Sequence, residues 1–156
     1  MRRPIKKRPK IKPDYRYQSE KVEKFINYVM QDGKKHTARK IVYMTLEEIK
    51  KETGTDEPLE IFYAAVKNAS PVVEVRSRRV GGANYQVPKE VRPERRQTLA
   101  MRWIIKSARS KSGSPVYKRM SNELIQASKN EGEAVTKKEN THKMAEANKA
   151  FAHFAW

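Results

Sequence analysis

The sequence predicts a mainly α-helical single domain: six helices, one two-stranded antiparallel β-hairpin between the third and fourth, and a basic extended N-terminal arm. Three observations carry that reading. Apolar residues recur at i, i+3 and i+4 through most of the 156 residues, the spacing that lines up one face of a helix. The pattern breaks once, between Pro71 and Val91 (PVVEVRSRRVGGANYQVPKEV), where β-prone runs flank Gly81-Gly82. A Gly-Gly step between such runs marks a hairpin, because both residues accept the positive φ of a tight turn. The opening stretch MRRPIKKRPKIKPD holds seven Lys/Arg before its first acid, Asp14, with Pro4, Pro9 and Pro13 among them. Prolines at that spacing forbid a helix and the like charges repel. Residues 1–14 are therefore expected to be extended and disordered when free, within an N-terminal arm of residues 1–18, and residues 19–156 to form the domain.

Each element has its own start and stop. The first helix runs from about Ser19 to Gln31, capped by Ser19, with Val22, Phe25, Ile26 and Val29 on one stripe. Asp32-Gly33 ends it. The second, from Lys34 to Thr53, turns Ala38, Ile41, Val42, Thr45, Leu46 and Ile49 inward. Its acidic second half (Glu47, Glu48, Glu52) is expected to face solvent or a basic protein neighbour. Gly54 stops it, and Pro58 opens a third helix with Leu59, Phe62, Val66 and Ala69 inward. The hairpin follows at about 72–88. A two-residue turn would set Arg78 opposite Tyr85 and Arg76 opposite Val87, all on one face. In the fourth helix, Pro93 to Ser110, Arg95, Arg102, Lys106 and Arg109 fall within a sector of about 60°. Ala100, Trp103, Ile104 and Ala108 lie opposite. The fifth helix is expected to use Ser114 as cap and Pro115 as its first residue, with Tyr117, Met120, Leu124 and Ala127 inward. The sixth starts either at a capping box, Thr136 to Glu139, or nearer Gly132. Met144, Ala145 and Asn148 continue its face. Phe151, Phe154 and Trp156 at the end are expected to dock into the core or a partner, with stacking on RNA bases as the other use.

Charge narrows the partner. Lys+Arg total 35 against 18 Asp+Glu, a formal net charge of +17, which draws a protein to a polyanion. A membrane is the weaker answer: no apolar run approaches a bilayer-spanning length, and no apolar segment follows the basic N-terminus as a secretory signal requires. From Arg95 to Asn122 there are eight Lys/Arg and no acid. A solvated helix mixes signs, so such a run is expected to be answered by an external anion. In the arm, Arg2, Arg3, Lys6, Lys7, Arg8 and Lys10 read either as a solvating tail or as phosphate contacts that order on binding. Lys111 extends the charge beyond the fourth helix. On the hairpin, Arg76, Arg78 and Arg79 have the forked geometry for phosphates, and Asn84 and Tyr85 suit a base or sugar. An ordinary hairpin with a solvated basic face has the same pattern.

Catalytic chemistry is missing from the sequence. There is no Cys, so disulfides and thiolate metal sites are excluded. His36, His142 and His153 are far apart and lack metal-ligand spacing. Gly33-Lys34-Lys35 has neither the upstream glycine nor the Ser/Thr of a phosphate-binding loop. No nucleophile–base–acid order or carboxylate pair stands out. The chain reads as a non-enzyme with no cofactor and no metal.

Four motifs then resemble one family. EVRSRRVGGANYQVP (residues 74–88) and DGKKHTARKIVY (32–43) are similar to signatures of the small-subunit ribosomal protein seven family, bacterial type. LAMRWIIKSAR (99–109) and KKENTHKMAEANKAFAH (137–153) follow in the family's order. The resemblance implies a six-helix domain with a protruding hairpin, on a cytoplasmic ribosome. It implies direct, early binding to the 3′ major domain of small-subunit rRNA, nucleating assembly of the subunit head. The hairpin, with Gly81 and Gly82 at its tip, would reach toward exit-site tRNA and the mRNA path, and small-subunit proteins nine and eleven would be neighbours. Carried over by motif, Lys34, Lys35, Arg76, Arg78, Arg79, Arg95, Arg102 and Arg109 fall in rRNA-binding stretches. Arg2 to Pro13 and Lys111 to Lys118 do not match the motifs, so contacts there rest on charge alone. The translational self-repression of some members is not carried over, because its target lies outside the chain.

Two other classes compete. An architectural DNA-binding protein also pairs a helical body with a basic β-arm, but the tip Val80-Gly-Gly-Ala83 offers no proline or large wedge residue. An RNA-modifying enzyme would need the catalytic groups that are missing.

Overall fold

The structure is a computed structural model that describes residues 11–154. The expectations for Arg2, Arg3, Lys6, Lys7, Arg8, Lys10 and Trp156 lie outside the described residues.

Helix α1 (Glu20–Val29) starts where Ser19 caps it, the hydroxyl accepting the Val22 N–H at 3.5 Å. That hydroxyl also shares a 2.6 Å hydrogen bond with the Tyr63 hydroxyl, tying the cap to the third helix. Val22, Phe25, Ile26 and Val29 are buried as the stripe requires. Helix α2 (Lys35–Thr53) stops at Gly54, whose φ of 66° is the left-handed conformation that ends helices at low cost. Helix α3 (Pro58–Asn68) begins on its proline. It brings Phe62 edge-on to Phe25, with centroids 5.2 Å apart. Burial of each such side chain is worth about 1.5–3 kcal/mol.

Strands β1 (Val73–Val80) and β2 (Ala83–Glu90) form the expected hairpin. Gly81 and Gly82 take φ of 58° and 88°, and the register pairs Arg78 with Tyr85 and Arg76 with Val87. Helix α4 (Pro93–Ser110) buries Ala100, Met101, Ile104, Ile105 and Ala108. Helix α5 (Val116–Ser128) is the hub, packed against α2, α3, α4 and the sixth helix. Helix α6 (Glu133–Ala147) runs on into a short 3-10 helix, Lys149–Phe154. Asn68 closes the junction by donating its amide to the carbonyls of Ala127 and Ser128, at 3.0 and 2.8 Å. Those end-of-helix carbonyls have no partner within their own helix.

Two expectations change, and one open choice is settled. Helix α5 begins at Val116, not Pro115. Pro115 stays extended at ψ 146° and serves as the flanking residue, its carbonyl accepting from Lys118 and Arg119, with no side-chain cap from Ser114. Of the two starts for α6, Gly132 is the one realised, at φ 90°. The Thr136 hydroxyl donates to the Gly132 carbonyl instead of capping. Met144, placed on the inner face, is 54% exposed, while Ala145 beside it is buried.

Candidate nucleic-acid interface

Cross-strand pairing gives the hairpin two unlike faces. Glu74, Arg76, Arg78, Tyr85 and Val87 share one. This is the face read from the sequence as an arginine-aromatic surface, and much of it turns to the body. Val87 is buried. The Tyr85 ring packs against Phe151 at 5.2 Å and Phe154 at 5.3 Å, so the terminal aromatics dock on the hairpin. The opposite face carries Ser77, Arg79, Asn84 and Gln86, all exposed. Gln86 donates to the Ser77 hydroxyl at 2.8 Å across the strands. From Val75 to Pro88 there is no acidic residue.

The hairpin root is clasped by Glu74, a residue only 9% exposed. Its carboxylate accepts from Arg76 Nε at 2.6 Å and from Arg95 Nε at 2.8 and 3.1 Å. One buried anion thus joins β1 to α4. On the other side, His142 of α6 accepts the Val72 N–H at 3.0 Å through Nε2.

The cationic stripe of α4 forms, but its members do different things. Arg95 is held by Glu74. The Arg102 guanidinium lies over the Tyr28 ring, 5.3 Å from its centre. Arg109 donates to the Val29 carbonyl at 2.9 Å, satisfying a carbonyl at the end of α1. Lys106 is exposed, with no acidic partner among the described residues. The expectation that the acid-free run is answered from outside therefore needs correction in part. Arg95, Lys111 and Lys118 are paired internally, with Glu74, Glu123 and Glu48 from segments beyond the run. A run free of acids in sequence is not free of them in space.

Glu123 is the most enclosed of these acids, fully buried on α5. It accepts from Lys111 Nζ at 2.8 Å and from the Ala134 N–H at 2.9 Å, so it also caps α6 from a neighbouring helix. Burial alone would push its carboxyl up. Donors to the carboxylate, the Lys111 ammonium foremost and then the Ala134 N–H and Ser107, outweigh that and hold it below the ordinary glutamate range.

At the start of α2, Lys34 is exposed without an acidic partner among the described residues, whereas Lys35 pairs with Glu23 of α1. Sequence reasoning passed over Arg39 and Lys40, one helical turn on, and Arg16 beside them. These line a shallow hollow with Tyr43. It also missed Asp14, Glu23, Glu74 and Glu123 as buried partners. Only Glu74 carried a signal, as an acid inside an alternating Val-Glu-Val run. No helix among the described residues is long and apolar enough to cross a membrane.

Comparison with known proteins sets these features in a family. Residues 1–149 match the family described as Ribosomal protein S7p/S5e. The chain is 58% identical to the small ribosomal subunit protein uS7 of Salinibacter ruber over 142 residues, 91% of this chain and 90% of the relative. It is 59% identical to that of Moorella thermoacetica over 140 residues, covering 90% and 89%. Against that of Halorhodospira halophila the identity is 53% over 155 residues, covering 99% and 98%.

Proposed function

The chain belongs to the ribosomal protein S7p/S5e family, and from that premise we propose that its helical body binds the 3′ major domain of small-subunit rRNA and nucleates assembly of the subunit head. It is a structural, non-enzymatic protein of the small subunit of the cytoplasmic ribosome, with ribosomal RNA as its partner. In the finer reading, the hairpin projects toward exit-site tRNA and the mRNA path, and small-subunit proteins nine and eleven are neighbours.

The observation that supports a divided role is the distribution of internal acids. Arg76, Arg95, Lys35 and Lys111 are anchored by buried carboxylates. In this reading they shape the surface and lend their remaining protons to phosphates. Lys34, Arg79, Arg102, Lys106 and Arg109 lack an acidic partner among the described residues and supply the main phosphate contacts. Arg78, Arg79, Asn84, Gly81 and Gly82 form the part of the hairpin nearest tRNA and messenger. Tyr85 serves that region by bracing it against Phe151 and Phe154.

Competition binding at fixed salt tests the reading. The chain is expected to prefer a head-domain RNA junction over duplex DNA of equal length. Equal affinity would favour an architectural DNA-binding protein instead. Arg78→Ala combined with Arg79→Ala is expected to weaken tRNA-proximal cross-links in assembled subunits more than binding to isolated rRNA. Failure of that double variant to bind isolated rRNA would make the hairpin an rRNA anchor.

A further inference from the structure

A cavity of about 460 Å³ lies away from the hairpin, between the segment leading into α1 and the start of α2. Its lining includes Lys12, Tyr15, Glu23, Asn27, Lys35 and Arg39. Its volume falls within the range of about 300–1,000 Å³ typical of small-ligand sites.

The loop that carries Tyr15 is rigidly built. Asp14, 2% exposed, accepts the N–H groups of Arg16 and Tyr17 at 3.1 Å each and the Tyr43 hydroxyl at 2.8 Å. Those bonds draw Asp14 inward and leave Tyr15 turned out, 93% exposed. A large aromatic ring held in water on a fixed turn forgoes the burial that normally stabilises it. Among the residues lining the same cavity, two buried polar atoms lack any hydrogen-bond partner: Glu23 Oε2 and Arg39 Nε. Glu23 is 6% exposed, and Arg39 Nη2 stands 3.7 Å from its Oε2, too far for a hydrogen bond.

One wall is therefore an aromatic platform. The rim carries Lys12, Lys35 and Arg39; Lys35 pairs with Glu23, and Arg39 stands 3.7 Å from Glu23 and 3.9 Å from Asp14, which leaves Lys12 as the rim cation without an acidic partner among the described residues. Asn27 offers an amide with both a donor and an acceptor. A ring for stacking, a cation for a phosphate and an amide for a base edge are the complement of one nucleotide. The geometry points to this cavity as the seat of a single unpaired nucleotide of the bound RNA, its base stacked on Tyr15. The inference rests on the RNA-binding reading above and extends it to Lys12, Tyr15 and Asn27, which neither the motifs nor the α4 stripe include. A continuous duplex has no free base to give, so the site would select a junction or loop.

The test uses the full chain, a transcript of the 3′ major domain of small-subunit rRNA, and a fully paired RNA duplex as control. Tyr15→Ala is expected to lower affinity for the transcript about tenfold, within the range measured for base–aromatic stacking. The salt dependence should not change, because the phenol carries no charge. Tyr15→Phe and Tyr15→Trp should bind as the wild type does, and all four proteins should bind the duplex alike. Equal affinity of Tyr15→Ala and wild type for the transcript overturns the nucleotide site while leaving the RNA-binding reading intact. An equal loss on transcript and duplex overturns it too, since stacking on an unpaired base cannot act on the duplex. Failure of the wild type to bind the transcript overturns both readings.

Discussion

At Glu74, a carboxylate that is almost fully buried receives two guanidinium groups, Arg76 from its own strand and Arg95 from α4. Both arginines are about half exposed, so solvent screens part of the attraction. The carboxylate itself has little access to water and depends on them. Glu74→Gln is expected to cost about 1–3 kcal/mol, read as a lower urea midpoint. Hydrogen exchange should quicken at the root of the hairpin, from Val73 to Val75. Glu123 gives a pH dependence whose sign is fixed by its environment. Its folded-state pKa is depressed, so the contribution to stability is fully present above the unfolded value, about 4.3. It is lost as pH falls through the lower folded value. Urea unfolding at a series of pH values should show wild-type stability falling below that range, with a shallower fall in Glu123→Gln. At neutral pH that variant should be less stable, by about 1.5–3 kcal/mol for the charged hydrogen bonds.

Among the elements, the hairpin depends on two neighbours for its direction. Helix α6 packs on β1 and the 3-10 helix packs on β2. Two-stranded hairpins are marginal alone, so the docking of Phe151 and Phe154 on Tyr85 has to supply part of the order. Each aromatic contact is worth about 0.5–1.5 kcal/mol beyond its area. Phe151→Ala with Phe154→Ala is therefore expected to raise amide exchange in β2 roughly tenfold or more, while α1 to α5 keep their protection. Unchanged exchange in β2 would show that the α6 contacts and the Glu74 clasp suffice.

For the whole molecule, the +17 charge and the burial of several acids act in the same direction. Buried acids neutralise some of the cations nearest the body, and Lys34, Arg79, Arg102, Lys106 and Arg109 are among those left without an acidic partner among the described residues. Binding to rRNA should weaken steeply with salt, with log affinity linear in log salt concentration. Lys34→Ala or Lys106→Ala should each lower affinity and reduce that slope by about 1. A slope that stays the same in both would remove these lysines from the phosphate contacts. Titration by fluorescence or filter binding across a salt series measures it.

Local signals were enough for the elements. Ser19, Gly54, Pro58 and Pro93 mark helix ends by their own chemistry, and Gly81-Gly82 sets the strand register, because caps and tight turns depend on residues close in sequence. They were weaker at Pro115, whose fixed φ suits a flanking residue as well as a first helical one, and at α6, whose capping carboxylate comes from Glu123 on another helix. The sequence by itself determined the six helices, the hairpin and its pairing, the excess of positive charge and the family. Only the tertiary structure decided which face of the hairpin meets the body and which cations keep their charge for a partner. The physical reason is that both depend on groups far apart in the chain. Phe151 and Phe154 cover Tyr85, and Glu74, Glu123 and Glu23 find Arg95, Lys111 and Lys35 across helix and strand boundaries that no local pattern spans.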